Sequence, residues 1–227
     1  MITIHRSANR GTTKLDWLDS KHSFSFGDYQ NQKRINFGAL CVLNDDWIEA
    51  ASGFPMHPHR NMEIITIMLS GSLEHKDSMG NKGIITAGEV QHMSAGTGIV
   101  HAEYNPSKKE KTHLLQIWIE PKLRNLPPEY CQTKFALKKN ELHTLVSGKR
   151  EKNALFMQQD AMVARGVFEE EFQYAPQKNK QIFLFVISGK AKINNELVEE
   201  GDSIETDEKI IIIPKKEVDV VVIEVGK

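Results

Sequence analysis

The chain has 227 residues, of which 40% are hydrophobic, and its 29 Lys and Arg against 30 Asp and Glu give a formal net charge of −1. This length can bury a sizeable core and fits either one large barrel or two small ones. The charge balance gives no support to a general nucleic-acid or membrane-surface role, because such roles need a basic face.

The N-terminus and the cysteines indicate a reduced environment. The sequence MITIHRSANR has no apolar signal region, and no apolar run approaches the roughly 20 residues that a membrane helix needs. Cys41 and Cys131 are far apart and form no CxxC pair. We therefore expect a cytoplasmic protein without a membrane anchor.

Short β-type runs separated by Gly, Pro, Asn and Asp dominate the chain. DSMGNKG (77–83) and INNELVEEGD (193–202) predict hairpin turns, since Asn and Gly tolerate left-handed backbone conformations. Helical pattern is scarce, and only PPEYCQTKF (127–135) is predicted to form a helical turn or two. The predicted strands lie in residues 36–43, 63–77, 83–95, 113–121, 180–194 and 209–225.

An internal repeat relates the two halves. Residues 64–90 and 181–207 both contain an apolar strand, Ser-Gly, a strand, a turn, another strand, and then Gly before an acidic residue. One β unit used twice predicts an all-β bicupin fold, with two stacked antiparallel jelly-roll barrels and little helix. We place the boundary in the polar, Pro-rich segment 120–141, which gives domains 1–135 and 136–227.

Histidines and carboxylates cluster in two segments of the first half. GFPMHPHRNMEIIT (53–66) carries His57, His59 and Glu63, and GEVQHMSAGTGIVHAEYNP (88–106) carries His101 and Glu103. Residues two apart on a strand share a face, so His57, His59 and Glu63 should point the same way. Three imidazoles and one carboxylate suit a transition metal and leave two coordination positions open. The alternative is a polar surface. No histidine follows position 143, so only the first half can hold such a site.

Both histidine segments are similar to the cupin motifs HxHxxxE and GxxHxxxN, with small departures in spacing and in the glycine turn. Together with KHSFSFGDY (21–29), EHKDSMGN (74–81), MSAGTGI (93–99) and LLQIWI (114–119), they resemble the pirin family, in particular its bacterial quercetinase-like members. The resemblance is dense over residues 1–121 and thin afterwards.

The resemblance implies a ligand set and an activity. The metal ligands would be His57, His59, His101 and Glu103, with Glu63 a nearby carboxylate of structural or supporting role. The metal would be one divalent ion, Fe(II) first, with Cu, Ni, Mn, Co or Zn as alternatives. The activity would be that of a quercetin 2,3-dioxygenase, in which dioxygen opens the ring of a flavonol and carbon monoxide is released. Glu103 would be the catalytic base, and the protein would be a monomer.

Other readings stay open at this point. The chain could be an iron-binding regulator that binds a transcription factor or a metabolic enzyme in a metal-dependent way, or a cupin with another substrate. Candidate pocket walls, which could equally be plain core, are Phe24, Phe26, Phe54, Met56 and Met93. The histidines without an alternating partner are expected to be surface or hydrogen-bonded residues, namely His22, His75, His92, His113 and His143.

Overall fold

A computed structural model describes residues 2–227, and within that range the only helical element is a 3₁₀ turn at Ser7–Asn9. The strands of the first part of the chain are β1 (Thr3–His5), β2 (Gly11–Lys14), β3 (Leu18–His22), β4 (Leu40–Ile48), β5 (Gly53–His59), β6 (Glu63–Ser70), β7 (Ser72–Asp77), β8 (Lys82–Thr86), β9 (Glu89–Ser94), β10 (Ile99–Tyr104), β11 (Thr112–Ile119) and β12 (Glu129–Lys134). Those of the remainder are β13 (His143–Ser147), β14 (Leu155–Phe156), β15 (Met162–Phe168), β16 (Phe172–Tyr174), β17 (Lys180–Ile193), β18 (Glu196–Glu199), β19 (Ser203–Thr206) and β20 (Ile210–Gly226). The all-β expectation is confirmed.

The chain forms two compact units. The first unit consists of Gly11–Phe135 and Met157–Gln159. The second consists of the N-terminal segment through Arg10, Ala136–Phe156 and Asp160–Lys227. The domains 1–135 and 136–227 stay a prediction, and they differ from these units in the N-terminal segment and in residues 157–159.

The first unit contains two sheets, and consecutive strands of the chain alternate between them at several points. A seven-stranded sheet has the order β12-β9-β6-β11-β4-β3-β2, and a four-stranded sheet has the order β5-β10-β7-β8. Gly71 separates β6 from β7 with φ +74°, a left-handed conformation that favours glycine. Buried Met68 on β6 and Leu73 on β7 pack in one apolar cluster, together with Ile85 and Leu114. This arrangement agrees with a jelly roll.

The second unit repeats this pairing pattern in one nine-stranded sheet, ordered β1-β19-β17-β20-β15-β13-β14, with β16 on β20 and β18 on β17. The neighbours β19-β17-β20 correspond to β9-β6-β11 of the first unit. Gly189, with φ +86°, occupies the place of Gly71, but β17 continues through it as one long strand. The internal repeat predicted from the sequence is confirmed.

The two units differ at equivalent buried positions. Glu103 pairs with His75 between β10 and β7, while Ile212 pairs with Ile193 between β20 and β17. Ile193, Ile210 and Ile212 are fully buried in the apolar core of the second unit. Isoleucine therefore fills in one unit the positions that carry imidazole and carboxylate in the other.

Most predicted elements are confirmed, and two need correction. The Asn194-Asn195 pair (φ 47° and 74°) and Gly80 (φ 92°) form the expected turns. Residues 127–135 form no helix, because Glu129–Lys134 pairs in antiparallel register with Glu89–Ser94 at the sheet edge. The predicted strand 36–43 begins later than expected. Residues 36–39 form a tight turn before β4. Among residues 2–227, no helix has the length and apolar character to cross a membrane.

Candidate metal centre

The imidazoles of His57, His59 and His101 meet between two neighbouring strands of the four-stranded sheet. β10 pairs with β5 so that His101 lies opposite His57. The ring centroid of His57 is 4.4 Å from that of His101 and 4.8 Å from that of His59. One ligand nitrogen from each of the three residues lies within 4.8 Å of the others. The alternation within β5 and the register of β10 therefore bring the three side chains together.

The strand that carries His57 and His59 contains Pro55 and Pro58. Proline lacks a backbone donor, so it is tolerated in strands mainly at a sheet edge. β5 is the edge strand of its sheet, which fits this rule. The carbonyl oxygen of Pro55 also accepts a hydrogen bond from His57 Nδ1 at 2.8 Å. Nε2 is then the nitrogen of His57 that is left to bind a metal.

Glu103 follows His101 by two residues on β10 and lies opposite His75 of β7. His75, His101 and Glu103 are buried, and one ligand atom from each lies within 4.8 Å of the others. Gln116 Nε2 donates to Glu103 Oε2 at 3.1 Å. The sequence left His75 as a hydrogen-bonded histidine without a role, because nothing local shows that β7 lies next to β10.

Two buried atoms of this cluster have no hydrogen-bond partner, namely His101 Nε2 and Glu103 Oε1. A buried polar atom without a partner costs free energy, so such atoms are rare in folded proteins. One lone pair on an imidazole and one on a carboxylate are ligands for a divalent transition metal. The residues present therefore fit a metal ion.

The charge state of the imidazoles also suits a metal. Burial lowers the pKa of His101 to about 3, with the neighbouring His57 and His75 acting in the same direction and Asp77 opposing them. Burial likewise lowers the pKa of His59 to about 4, with His101 and His57 acting in the same direction. Burial raises the pKa of Glu103, and nearby His75 and His57 oppose that rise. Near neutral pH His59 and His101 are thus uncharged and keep their lone pairs.

A cavity of about 270 Å³ opens beside these residues. Its apolar wall consists of Leu18, Phe26, Phe54 and Trp118. Its polar wall comes from β3, β4 and β11 and consists of Ser20, His22, Asn44, Asp46 and Gln116. Burial raises the pKa of Asp46 to about 7, although a hydrogen bond from Ser20 acts in the opposite direction. The cavity is thus lined by aromatic and apolar side chains together with hydrogen-bonding groups, and His57, His59 and Glu103 also line it.

Of the five residues that the sequence suggested as pocket walls, only some line the cavity. Phe26 and Phe54 line the cavity. Phe24 and Met93 are fully buried, and Met93 packs with Ile64. Met56 is 51% exposed and does not line the cavity. Strand alternation could not separate these cases, because it does not tell which face of a sheet borders a cavity.

Glu63 does not share a face with His57 and His59, so that expectation is wrong. β5 ends at His59, Asn61 then adopts a left-handed conformation with φ 50°, and Glu63 begins β6 in the other sheet. Alternation holds only within one strand, and here the strand is interrupted. Glu63 Oε2 accepts hydrogen bonds from His92 Nε2 at 2.8 Å and from the backbone N–H of Gln158 at 3.0 Å, and Ser94 Oγ donates to Oε1 at 2.7 Å. Its oxygens are occupied by protein donors.

The remaining histidines are hydrogen-bonded, as expected. His22 Nδ1 contacts Asn44 Oδ1 at 2.8 Å, and His113 Nε2 contacts Asp45 Oδ1 at 2.6 Å. His143 Nε2 accepts a hydrogen bond from the backbone N–H of Lys138.

Two family models match this chain, one in its first part and one in its second part. The family model described as Pirin matches residues 4–119, and the one described as Quercetinase C-terminal cupin domain matches residues 144–225. A protein of Escherichia coli K12 named quercetin 2,3-dioxygenase is 42% identical over 196 residues, which is 86% of this chain and 84% of the relative.

Two solved structures are similar over the whole chain. The crystal structure of YhhW from Escherichia coli has a TM-score of 0.96 and 37% identity, and the match covers 100% of this chain and 98% of that one. A second structure, the bacterial pirin YhhW in complex with nickel(II), has a TM-score of 0.95 and 37% identity, and covers 100% and 99%.

Proposed function

The chain belongs to the pirin family, and on that premise we propose that it is a metal-dependent quercetin 2,3-dioxygenase, which uses dioxygen to open the central ring of a flavonol and releases carbon monoxide. The observation that carries the proposal is the pair of unpartnered buried atoms, His101 Nε2 and Glu103 Oε1, beside an apolar cavity. The relatives' names describe an enzyme and do not favour the regulatory alternative.

The metal ligands in this proposal are His57, His59, His101 and Glu103. Three imidazole nitrogens and one carboxylate oxygen suit Fe(II), Ni, Cu, Mn, Co or Zn, and the family resemblance places Fe(II) first among them. When bound, the divalent ion supplies Lewis acidity toward the oxygens of a flavonol. The relative that was solved with nickel(II) supports a divalent ion without fixing which one.

The cavity suits a flat aromatic substrate. Its volume of about 270 Å³ is near the lower end of ligand pockets, which run from about 300 to 1,000 Å³. Phe26 packs edge-on against Trp118 at 5.4 Å, so that aromatic surface is available to a planar ring. Asn44 and Asp46 on the polar wall can hydrogen-bond to ring hydroxyls.

Glu103 holds the proton that the substrate gives up. Its Oε1 has no protein partner, while Gln116 fixes the other oxygen. If this carboxylate loosens from the metal, its Oε1 can accept the hydroxyl proton of a bound flavonol. Once Glu103→Gln has been reconstituted to full metal occupancy, it should turn over quercetin far more slowly than wild type, and full turnover at that occupancy would make the base role wrong.

The decisive experiment combines metal analysis and oxygen uptake on one sample. Protein purified without added metal should contain near one transition metal per chain and should consume oxygen with quercetin. Both should disappear in the double variant His57→Ala/His101→Ala. Metal without oxygen consumption would keep the site and reject the substrate. No metal, even after reconstitution with Fe(II), would reject the site itself.

A further inference from the structure

His75 lies between a carboxylate and a proposed metal ligand. Its Nε2 is 3.2 Å from Asp77 Oδ2, and its Nδ1 is 3.5 Å from His101 Nδ1. All three side chains are buried, so water does not compete strongly for these contacts. The three residues form a chain of hydrogen-bonding groups that ends at His101.

Asp77 is held firmly at the far end of this chain. Its Oδ1 accepts hydrogen bonds from the backbone N–H groups of Met79 and Asn81, and its Oδ2 accepts one from Asn81 Nδ2. Burial alone would raise the pKa of Asp77, but the hydrogen bonds from Asn81 and His75 outweigh it, and the pKa is lowered. Both oxygens of Asp77 thus accept from N–H donors, so Asp77 is an acceptor toward His75 as well, and the proton on His75 sits on Nε2. Tyr130 stacks on the His75 ring at 4.6 Å and restricts its rotation.

The Nδ1 lone pair of His75 then faces His101 Nδ1, which can close the contact only by donating a proton. We propose that Asp77 and His75 are positioning residues that fix His101 as its Nδ1–H tautomer, with the Nε2 lone pair turned toward His57 and His59. This inference rests on the metal site proposed above. It explains why His101 Nε2 is buried without a partner while the other nitrogen of the same ring is paired.

His57 supports the inference independently. Its Nδ1 donates to the carbonyl oxygen of Pro55, which leaves Nε2 for the metal in the same way. Ligating histidines in metal sites almost always donate their other N–H to a carbonyl or carboxylate, and loss of that partner typically costs 10–100-fold in metal affinity. For His101 the partner is a histidine backed by an aspartate.

Three variants test the proposal. His75→Phe removes the acceptor and keeps a ring for Tyr130, while His75→Asn keeps an acceptor near the position of Nδ1. His113→Phe is the matched control, because His113 also contacts a carboxylate, at 2.6 Å from Asp45, and stacks on Trp47 at 4.0 Å.

The first measurement is long-range ¹H–¹⁵N NMR of the metal-free protein, which reports the tautomer of each histidine. Wild type, His75→Asn and His113→Phe should show His101 protonated on Nδ1, and His75→Phe should show a mixture of tautomers. Wild-type His101 protonated on Nε2 would overturn the proposal. This measurement requires neither bound metal nor turnover.

The second measurement is Ni(II) affinity by competition with a chelator. His75→Phe should bind about 10–100-fold more weakly than wild type, with His75→Asn within about threefold and His113→Phe unchanged. Equal losses in His75→Phe and His113→Phe, or no loss in either, would overturn the positioning role. Complete loss of Ni(II) binding in both His75→Phe and His75→Asn would make His75 a ligand instead and would overturn the positioning role. Wild-type protein that binds no Ni(II) would reject the proposed metal site, which is a distinct failure.

Discussion

Glu63 and Glu103 are both fully buried, but they differ in what their oxygens contact. Protein donors occupy both oxygens of Glu63, whereas Glu103 Oε1 has none. We predict that Glu103→Gln loses metal and that Glu63→Gln retains it. Glu63→Gln should instead lower the free energy of unfolding by about 3–5 kcal/mol, since glutamine leaves the buried charge of His92 without a compensating carboxylate. Metal analysis and urea unfolding of both variants check this, and metal loss confined to Glu63→Gln would reverse the assignment.

The pair of Glu63 and His92 also predicts a pH dependence. Burial alone would lower the pKa of His92, but the contacts with Cys131 and Glu63 outweigh it and raise the pKa from 6.5 to about 9. A raised pKa in the folded state contributes stability that is complete below pH 6.5 and is lost as the pH rises through about 9.

The free energy of unfolding should therefore differ most between wild type and His92→Gln near pH 6, and the difference should shrink toward pH 10. Urea titrations of both proteins across this range measure it. A difference that stays constant with pH would mean that His92 is uncharged in the folded protein.

At the scale of elements, glycines of the repeat adopt the left-handed backbone conformations that the strand connections require. Gly189 and Gly88 both have positive φ, but a Cβ at Gly189 would lie 2.2 Å from the carbonyl oxygen of Glu217, whereas one at Gly88 would meet nothing within 4 Å. The left-handed conformation should cost alanine about 1–2 kcal/mol at each site. We predict that Gly189→Ala lowers the melting temperature clearly more than Gly88→Ala does. Equal effects would show that β20 moves aside easily at Glu217.

The elements that sequence reasoning found are those with a strong local signal. The long apolar runs of β17 and β20 predict strands, and the two-residue spacing of His57 and His59 correctly places them on one face. The short strand β12 was missed because two prolines precede it and its partner, β9, is distant in sequence. Its β conformation comes from pairing at a sheet edge, which local propensity does not encode.

The features of the site that sequence reasoning missed depend on strand boundaries and strand pairing. The polar wall of the cavity uses Ser20 and His22, from a strand too short and polar to be predicted. The place of His75 beside His101 depends on β7 lying next to β10. Glu63 was misplaced since one left-handed residue, Asn61, ends the alternation. The ligand roles of His57, His59, His101 and Glu103 stay predictions.

At the scale of the whole molecule, only one of the two related β units has imidazole and carboxylate groups at these equivalent positions. Core isoleucines occupy the second unit at the positions equivalent to the buried imidazole and carboxylate of the first. A core of that kind offers no lone pairs to a metal. The duplicated pattern thus provides one unit with a polar site and one with apolar side chains at the equivalent positions.

The second unit also depends on the first residues of the chain. β1 pairs with β19 from Thr3 opposite Glu205 to His5 opposite Ser203. Arg6 Nη1 and the backbone N–H of Ser7 donate to the two oxygens of buried Asp202, each at 2.8 Å. Removal of residues 1–10 would expose the edge of β19 and leave Asp202 without these partners.

This deletion separates stability from metal binding. We predict that removing residues 1–10 lowers the melting temperature by about 5–10 °C, which corresponds to a loss of about 2–3 kcal/mol in a chain of this size. Hydrogen exchange should lose protection at Ser203–Thr206, because the amides of β19 then border solvent. Metal content should stay at the wild-type level, since the proposed ligands all lie on β5 and β10. Loss of metal in the truncated chain would show that the site depends on residues outside the first unit.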